Sequence, residues 1–171
     1  GNNTSSYIFN GGENIEPFES YEVVSNGLST KNEQLPMEGS AIYKGIAFSK
    51  DGQGNVEYTI DFKNRQGNGS IKGLSVGELV LEKGELYKAY DRDWKTKGYV
   101  TAKDWVDQKV TGKYDASLFG PNAEEIIGEV NLTQDISYQT PSKTLTPSKV
   151  PYYSSIDMTI GFGGTRGEIK K

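Results

Sequence analysis

Apolar and polar residues alternate with a period of two through much of the chain. In Val56-Glu57-Tyr58-Thr59-Ile60-Asp61-Phe62 the residues Val56, Tyr58, Ile60 and Phe62 share one face, and Glu57, Thr59 and Asp61 the other. This is the pattern of a strand with one buried and one wet face. The same spacing recurs at Val110, Gly112, Tyr114, Ala116 and Leu118, at Ile126, Gly128, Val130 and Leu132, and at Ile156, Met158, Ile160 and Phe162. An antiparallel sheet solvated on one side produces such alternation.

Ala41 to Phe48 reads as a further strand of undecided face. The residues Asp51-Gly52-Gln53-Gly54-Asn55 that follow it tolerate the positive φ of a hairpin, which joins it to Val56–Phe62. A second turn is read at Asn64-Arg65-Gln66-Gly67-Asn68-Gly69, before a strand over Ser70 to Leu74. Strands of similar length, short turns and inward Gly and Ala predict an all-β fold, a small antiparallel, eight-stranded up-and-down β-barrel. Residues 1–37 are polar and irregular, with short apolar patches at Tyr7-Ile8-Phe9 and Tyr21-Glu22-Val23-Val24. They read as an N-terminal arm with two short strands, and 38–171 as the barrel domain.

Two stretches depart from the alternation. Leu79 to Gln108 interleaves charged residues with Tyr87, Tyr90, Trp94, Tyr99 and Trp105, and reads as a long connection of the kind on which binding resides. Within it, Thr101 to Val106 has the spacing of a single helical turn capped by Thr101. Thr133 to Ser155 carries Pro141, Pro147 and Pro151 and reads as an extended loop.

A length of 171 residues fits one domain with a core of its own. The formal net charge of -4, from 19 Lys plus Arg against 23 Asp plus Glu, is mixed along the chain. Nucleic acid and anionic membrane faces are therefore poor partners. Cysteine and histidine are both absent, which excludes thiol nucleophiles, the Ser/His/Asp arrangement, the usual zinc ligands and histidine-ligated haem. No apolar run is long enough for a transmembrane helix. Gly1, Asn2, Asn3, Thr4, Ser5 and Ser6 read as a processed or truncated start.

The glycines of Gly67-Asn68-Gly69 and Gly161 to Gly167 lack the offsets of a phosphate loop and open no helix, so they read as turn and strand-packing residues. Asp51 to Asn55 is no calcium loop, because Val56 and Phe62 stand where Gly and Glu belong. The carboxylates Asp91, Asp93, Asp104, Glu124 and Glu125 read as solvated charges, and the chain as a binding protein without cofactor or metal rather than an enzyme. The aromatics of Leu79–Gln108 either seal a barrel end or anchor a partner. Trp94, flanked by Asp93 and Lys95, is expected to be exposed. Tyr138, Tyr152 and Tyr153 either form an interaction face or pin their loop. The candidate partner-binding residues are thus Tyr87, Tyr90, Trp94, Tyr99, Trp105, Tyr138, Tyr152 and Tyr153.

Several motifs in fixed order add a family resemblance. Gln34-Leu35-Pro36, Ala41-Ile42-Tyr43-Lys44-Gly45-Ile46-Ala47-Phe48-Ser49-Lys50-Asp51, Tyr58-Thr59-Ile60-Asp61-Phe62 and Gln66-Gly67-Asn68-Gly69-Ser70-Ile71 resemble the start of the C-terminal barrel of factor H-binding proteins. Val110-Thr111-Gly112, Leu118-Phe119-Gly120-Pro121-Asn122-Ala123-Glu124-Glu125-Ile126-Ile127-Gly128 and Ile160-Gly161-Phe162-Gly163-Gly164 resemble strands and a turn shared with transferrin-binding protein B barrels. The resemblance spans Gln34 to Gly164. The first 33 residues are too few for the large N-terminal barrel or lobe of those relatives, and Leu79–Gln108 looks like an insert without counterpart.

The resemblance implies a monomeric Gram-negative surface lipoprotein, held at the outer membrane by an N-terminal lipidated cysteine that this chain lacks. It implies a host extracellular protein as ligand. A complement component or regulator is favoured by the closest strand similarity. The alternatives are capture of transferrin or haemoglobin for iron, and a small apolar ligand inside the barrel.

Overall fold

The structure, a computed structural model, describes residues 28–31, 35–137, 144–145 and 154–171. Eight strands follow one another: β1 (Ser40–Ser49), β2 (Gly52–Asp61), β3 (Gln66–Lys72), β4 (Leu79–Ala89), β5 (Asp93–Ala102), β6 (Val110–Phe119), β7 (Glu125–Asp135) and β8 (Ser155–Arg166). Each pairs antiparallel with the next, and β8 pairs back onto β1, so the sheet closes as an up-and-down barrel. This is the fold that the alternation predicts. Closure leaves no unpaired sheet edge, and in a barrel of this size the inward side chains fill the interior. Tyr43, Tyr58, Phe62, Tyr114 and Phe162 are among the largest of the fully buried side chains.

Leu79–Gln108, expected to be a loop, instead forms β4, β5 and a 3-10 turn at Lys103–Gln108. A bulge in β4 hides the alternation. Leu81 faces Val100 and Glu85 faces Lys97, so four steps along β4 match three along β5. The inward set therefore shifts from Leu79 and Leu81 to Gly84 and Leu86. In β5 the inward residues Trp94, Val100 and Ala102 are interrupted by Thr96 and Gly98, which carry no apolar signal. Thr101 caps no helix. It lies in β5 with its hydroxyl donating to the Glu82 carboxylate at 2.7 Å, and Ala102 precedes the 3-10 turn without a side-chain cap.

Two turns are shorter than expected. Ser49 pairs with Gly52, leaving Lys50 and Asp51 as the first turn, so that Gln53 to Asn55 belong to β2. The second turn is at Phe62 to Arg65, and Gln66 already starts β3. The Asp61 carboxylate makes that turn by accepting from the Asn64 backbone N–H at 3.0 Å and its side-chain amide at 2.7 Å. Gly67 and Gly69 lie in β3; a Cβ on Gly67 would reach within 2.5 Å of the Tyr58 ring.

Inside the barrel, the Tyr114 hydroxyl donates to the Glu82 carbonyl at the bulge, at 2.6 Å. Tyr58 must then donate to Tyr114 at 2.8 Å, and Thr96 to Tyr58 at 2.9 Å, since each hydroxyl has one proton. The Tyr58 and Tyr114 rings meet edge to face at 5.7 Å. This one-way chain ends on the Glu82 carbonyl at the bulge and gives each buried hydroxyl a partner, so the polar groups cost little to bury. Burial pushes the phenols of Tyr43, Tyr58 and Tyr114 above their ordinary 10.0.

Their raised values make stability sensitive to alkali in a definite direction. The folded chain keeps these phenols protonated while the unfolded chain ionises them from about pH 10, so their contribution is complete below pH 10.0 and is lost as pH rises above it. The expected result is an unfolding free energy from urea titrations that is flat up to about pH 10 and then falls by about 1.4 kcal/mol per pH unit for each of Tyr43 and Tyr58. An unfolding free energy unchanged from about pH 9 to about pH 11.5 contradicts it.

Residues 28–31 extend the sheet at one rim, between the start of β5 and the end of β6. Ser29 bridges to Phe119 and Lys31 to Asp93. The Thr30 N–H donates to Leu118 O at 2.8 Å, the Trp94 N–H donates to Thr30 O at 3.1 Å, and Lys31 pairs with Asp93 at 2.9 Å. The two short strands expected at 7–9 and 21–24 lie outside the described residues. Of the expected proline-rich loop, β7 takes up the start as far as Asp135, and β8 begins at Ser155.

Candidate interaction face on strands β4 to β6

The side chains that point outward from β4, β5 and β6 form transverse rows. Glu85, Lys97 and Asp115 stand in register across the three strands, and Tyr99 is opposite Lys113 in the next outward row. Lys83, in the bulge, projects on the β4 side of the same groove. The groove has a volume of about 790 Å3 and is walled by Tyr87 and Tyr99 together with Lys83, Lys97 and Lys113. A second concavity, of about 610 Å3, lies across β5 to β7 and is bordered by Tyr99, Val106 and Val110. Tyr99 is thus a ridge between two hollows.

The candidate residues separate by their side of the sheet. Tyr99 is 69% exposed and Tyr90 is 91% exposed. Tyr90 sits in the β4–β5 turn, where it and Asp91 both have φ of 56°, an unusual conformation for a bulky side chain. Tyr87 is half-buried on the outer face, with the Lys97 ammonium 5.0 Å above its ring. Partial burial, and then the Asp115 carboxylate, push its phenol above the ordinary value. These three tyrosines run along the outside of one hairpin.

Trp94, expected to be exposed, is only 7% exposed and belongs to the core. It points inward at the rim beneath Thr30, with the Arg65 guanidinium 5.0 Å over its ring. Its charged neighbours Asp93 and Lys95 do not expose it, because consecutive strand residues point to opposite faces. Trp105 is half-buried in the 3-10 turn, where its indole N–H donates to Val76 O at 2.9 Å. It packs against the core while its neighbour Val106 is 68% exposed. Tyr138, Tyr152 and Tyr153 lie outside the described residues.

Sequence reasoning placed none of Lys83, Lys97, Lys113 and Val106 among the candidate contact residues. The outward alternation of Lys95, Lys97 and Tyr99 is the signal that finds Lys97 once β5 is recognised as a strand, whereas Lys83 in the β4 bulge, Lys113 on β6 and Val106 in the 3-10 turn are brought near only by the fold. Lys83, Lys97 and Lys113 have no ion-pair partner among the described residues, whereas Lys31, Arg92 and Lys103 do.

The described residues form a closed eight-stranded barrel with a rim segment beside β5 and an aromatic, lysine-edged outer face. Comparison with known proteins makes this specific. The sequence profile of the family described as Factor H binding protein, C-terminal, matches residues 33–130, and the chain belongs to that family. The matched span runs from before β1 through β4, β5 and β6 into β7. Among solved structures, a double mutant of the vaccine antigen transferrin binding protein B from Haemophilus parasuis Hp5 is similar in fold, with a TM-score of 0.52 at 14% sequence identity. The similarity covers 92% of this chain but 32% of that one, so this chain spans about a third of the length of the relative it matches.

Proposed function

We propose that this barrel is the host-protein-binding module of a bacterial surface lipoprotein, with a complement regulator as ligand. The observation that carries the reading is the family match over residues 33–130, more than half of the chain. The outer face of β4 to β6 supplies the contact, with Tyr87, Tyr90 and Tyr99 as aromatic anchors and the surrounding lysines and carboxylates setting orientation. Exposed tyrosines offer large contact area with few rotatable bonds, which suits them to this role. Trp94 and Trp105 support the face from within instead of touching the ligand. Filling of the interior by Tyr43, Tyr58, Tyr114, Phe62 and Phe162 favours this reading over a barrel that carries a small apolar ligand. We place the module at the cell surface on a lipid anchor outside the given sequence.

The test is capture from host serum by the immobilised chain, with mass spectrometry of the retained proteins and an unrelated barrel as control. One enriched complement regulator is the expected result. Enrichment of transferrin or haemoglobin instead transfers the module to iron acquisition, and retention of nothing beyond the control contradicts host serum protein binding.

A further inference from the structure

We infer that the groove between Tyr87 and Tyr99 binds a glycan that ends in a carboxylated sugar, an inference that rests on the host-contact reading of this face and names its ligand chemistry. The groove is concave, at about 790 Å3, a size that admits a sugar or two carried by a host protein docked on this face. Tyr99 stands 69% exposed in its wall, offering an aromatic face to the C–H side of a pyranose ring. Lys113 is opposite Tyr99 on β6 and Lys83 borders the groove from β4, so ammonium groups lie to both sides of the stacking ring. Neither has an ion-pair partner among the described residues.

One sugar carboxylate held beside such a ring is matched by one or two charge-assisted hydrogen bonds. The next row, Glu85, Lys97 and Asp115, places a carboxylate on each side of a lysine, giving acceptors for sugar hydroxyls and a donor between them. That row also decides against a polyanion. Phosphate-rich or multiply sulfated chains would meet Glu85, Asp115 and a net charge of -4, and like charges at close range repel. A single acid group on a hydroxyl-rich ring fits both rows at once.

The inference is tested by titrating the labelled chain with 3′-sialyllactose and with lactose, following backbone amide shifts by NMR. The expected result is saturable shifts confined to β4, β5 and β6 with 3′-sialyllactose, at a Kd of about 1 mM or tighter, and none with lactose. Tyr99→Ala and the Lys83→Gln, Lys113→Gln pair each weaken binding about tenfold or more while the remaining spectrum stays that of the folded barrel. No saturable response at about 10 mM, an equal response to lactose, or shifts centred on other strands each overturns the inference. Because no serum protein is present, a negative titration overturns the glycan assignment alone. Failure of serum capture would instead overturn the host-protein reading.

Discussion

Replacing Tyr87 and Tyr99 together by alanine lowers capture of the serum ligand at least about thirtyfold, the equivalent of about 2 kcal/mol. Both rings face outward from the hairpin of β4 and β5, and neither belongs to the barrel core. Exposed strand positions change stability little on truncation, so the double variant should melt within a few degrees of the parent. The loss then reads contact area removed from an interface, not a collapsed sheet. Surface plasmon resonance against the protein identified by serum capture, with circular dichroism of the same samples, measures both. A folded double variant that binds as well as the parent removes this face from the contact.

Gly45→Val has the largest expected effect on the fold. Gly45 in β1 pairs with Gly164 in β8, at the seam where the last strand meets the first. A Cβ on Gly45 would overlap the Gly163 carbonyl oxygen and lie 2.6 Å from the Gly164 Cα, both backbone atoms that cannot swing aside. A Cβ on Gly164 would meet the Lys44 carbonyl at 2.6 Å from the other direction. The two strands come this close because neither carries a side chain there, and the barrel shuts through that approach. Valine costs about 4 kcal/mol or more, a large part of the stability of a domain of this size. The variant should lose its cooperative thermal transition. Gly167→Ala, where an added Cβ meets nothing within 4 Å, should change stability by no more than about 0.5 kcal/mol. A Gly45→Val protein that melts like the parent contradicts the account of the seam.

The closed topology was legible from incomplete strands. Period-two alternation found β2, β6, β7 and β8, turn residues placed β1 and β3 beside β2, and an eight-stranded barrel requires two more strands, which Leu79 to Gln108 supplies. What hid β4 and β5 is physical. The bulge at Glu82 and Lys83 shifts the inward phase within a single strand, and the inward Thr96 and Gly98 remove apolar signal where Tyr58, from β2 across the interior, and Tyr114, paired with Gly98 on the neighbouring β6, supply the bulk. A residue whose partner fills its space need not be large itself.

The same misreading decided the candidate site. Tyr87, Tyr90 and Tyr99 are visible as aromatics in a charged stretch, but which side of a sheet they occupy follows only once the stretch is known to be strand. Trp94 illustrates the point. Asp93 and Lys95 suggest exposure if the segment is a loop, and burial if it is a strand, since both neighbours then point away from it. The lysines around Tyr99 come together from three strands and two hairpins, a juxtaposition that linear spacing does not contain.

The most direct test of binding through the outer face of β4 to β6 is site-specific photo-crosslinking in serum. p-Benzoylphenylalanine in place of Tyr99 probes that face, and in place of Ile42 it probes the exposed side of β1, four strands away on the opposite wall of the barrel. Adducts with one host protein from position 99, and none from position 42, are the predicted result. The same adduct from position 42 with none from position 99 would contradict the account.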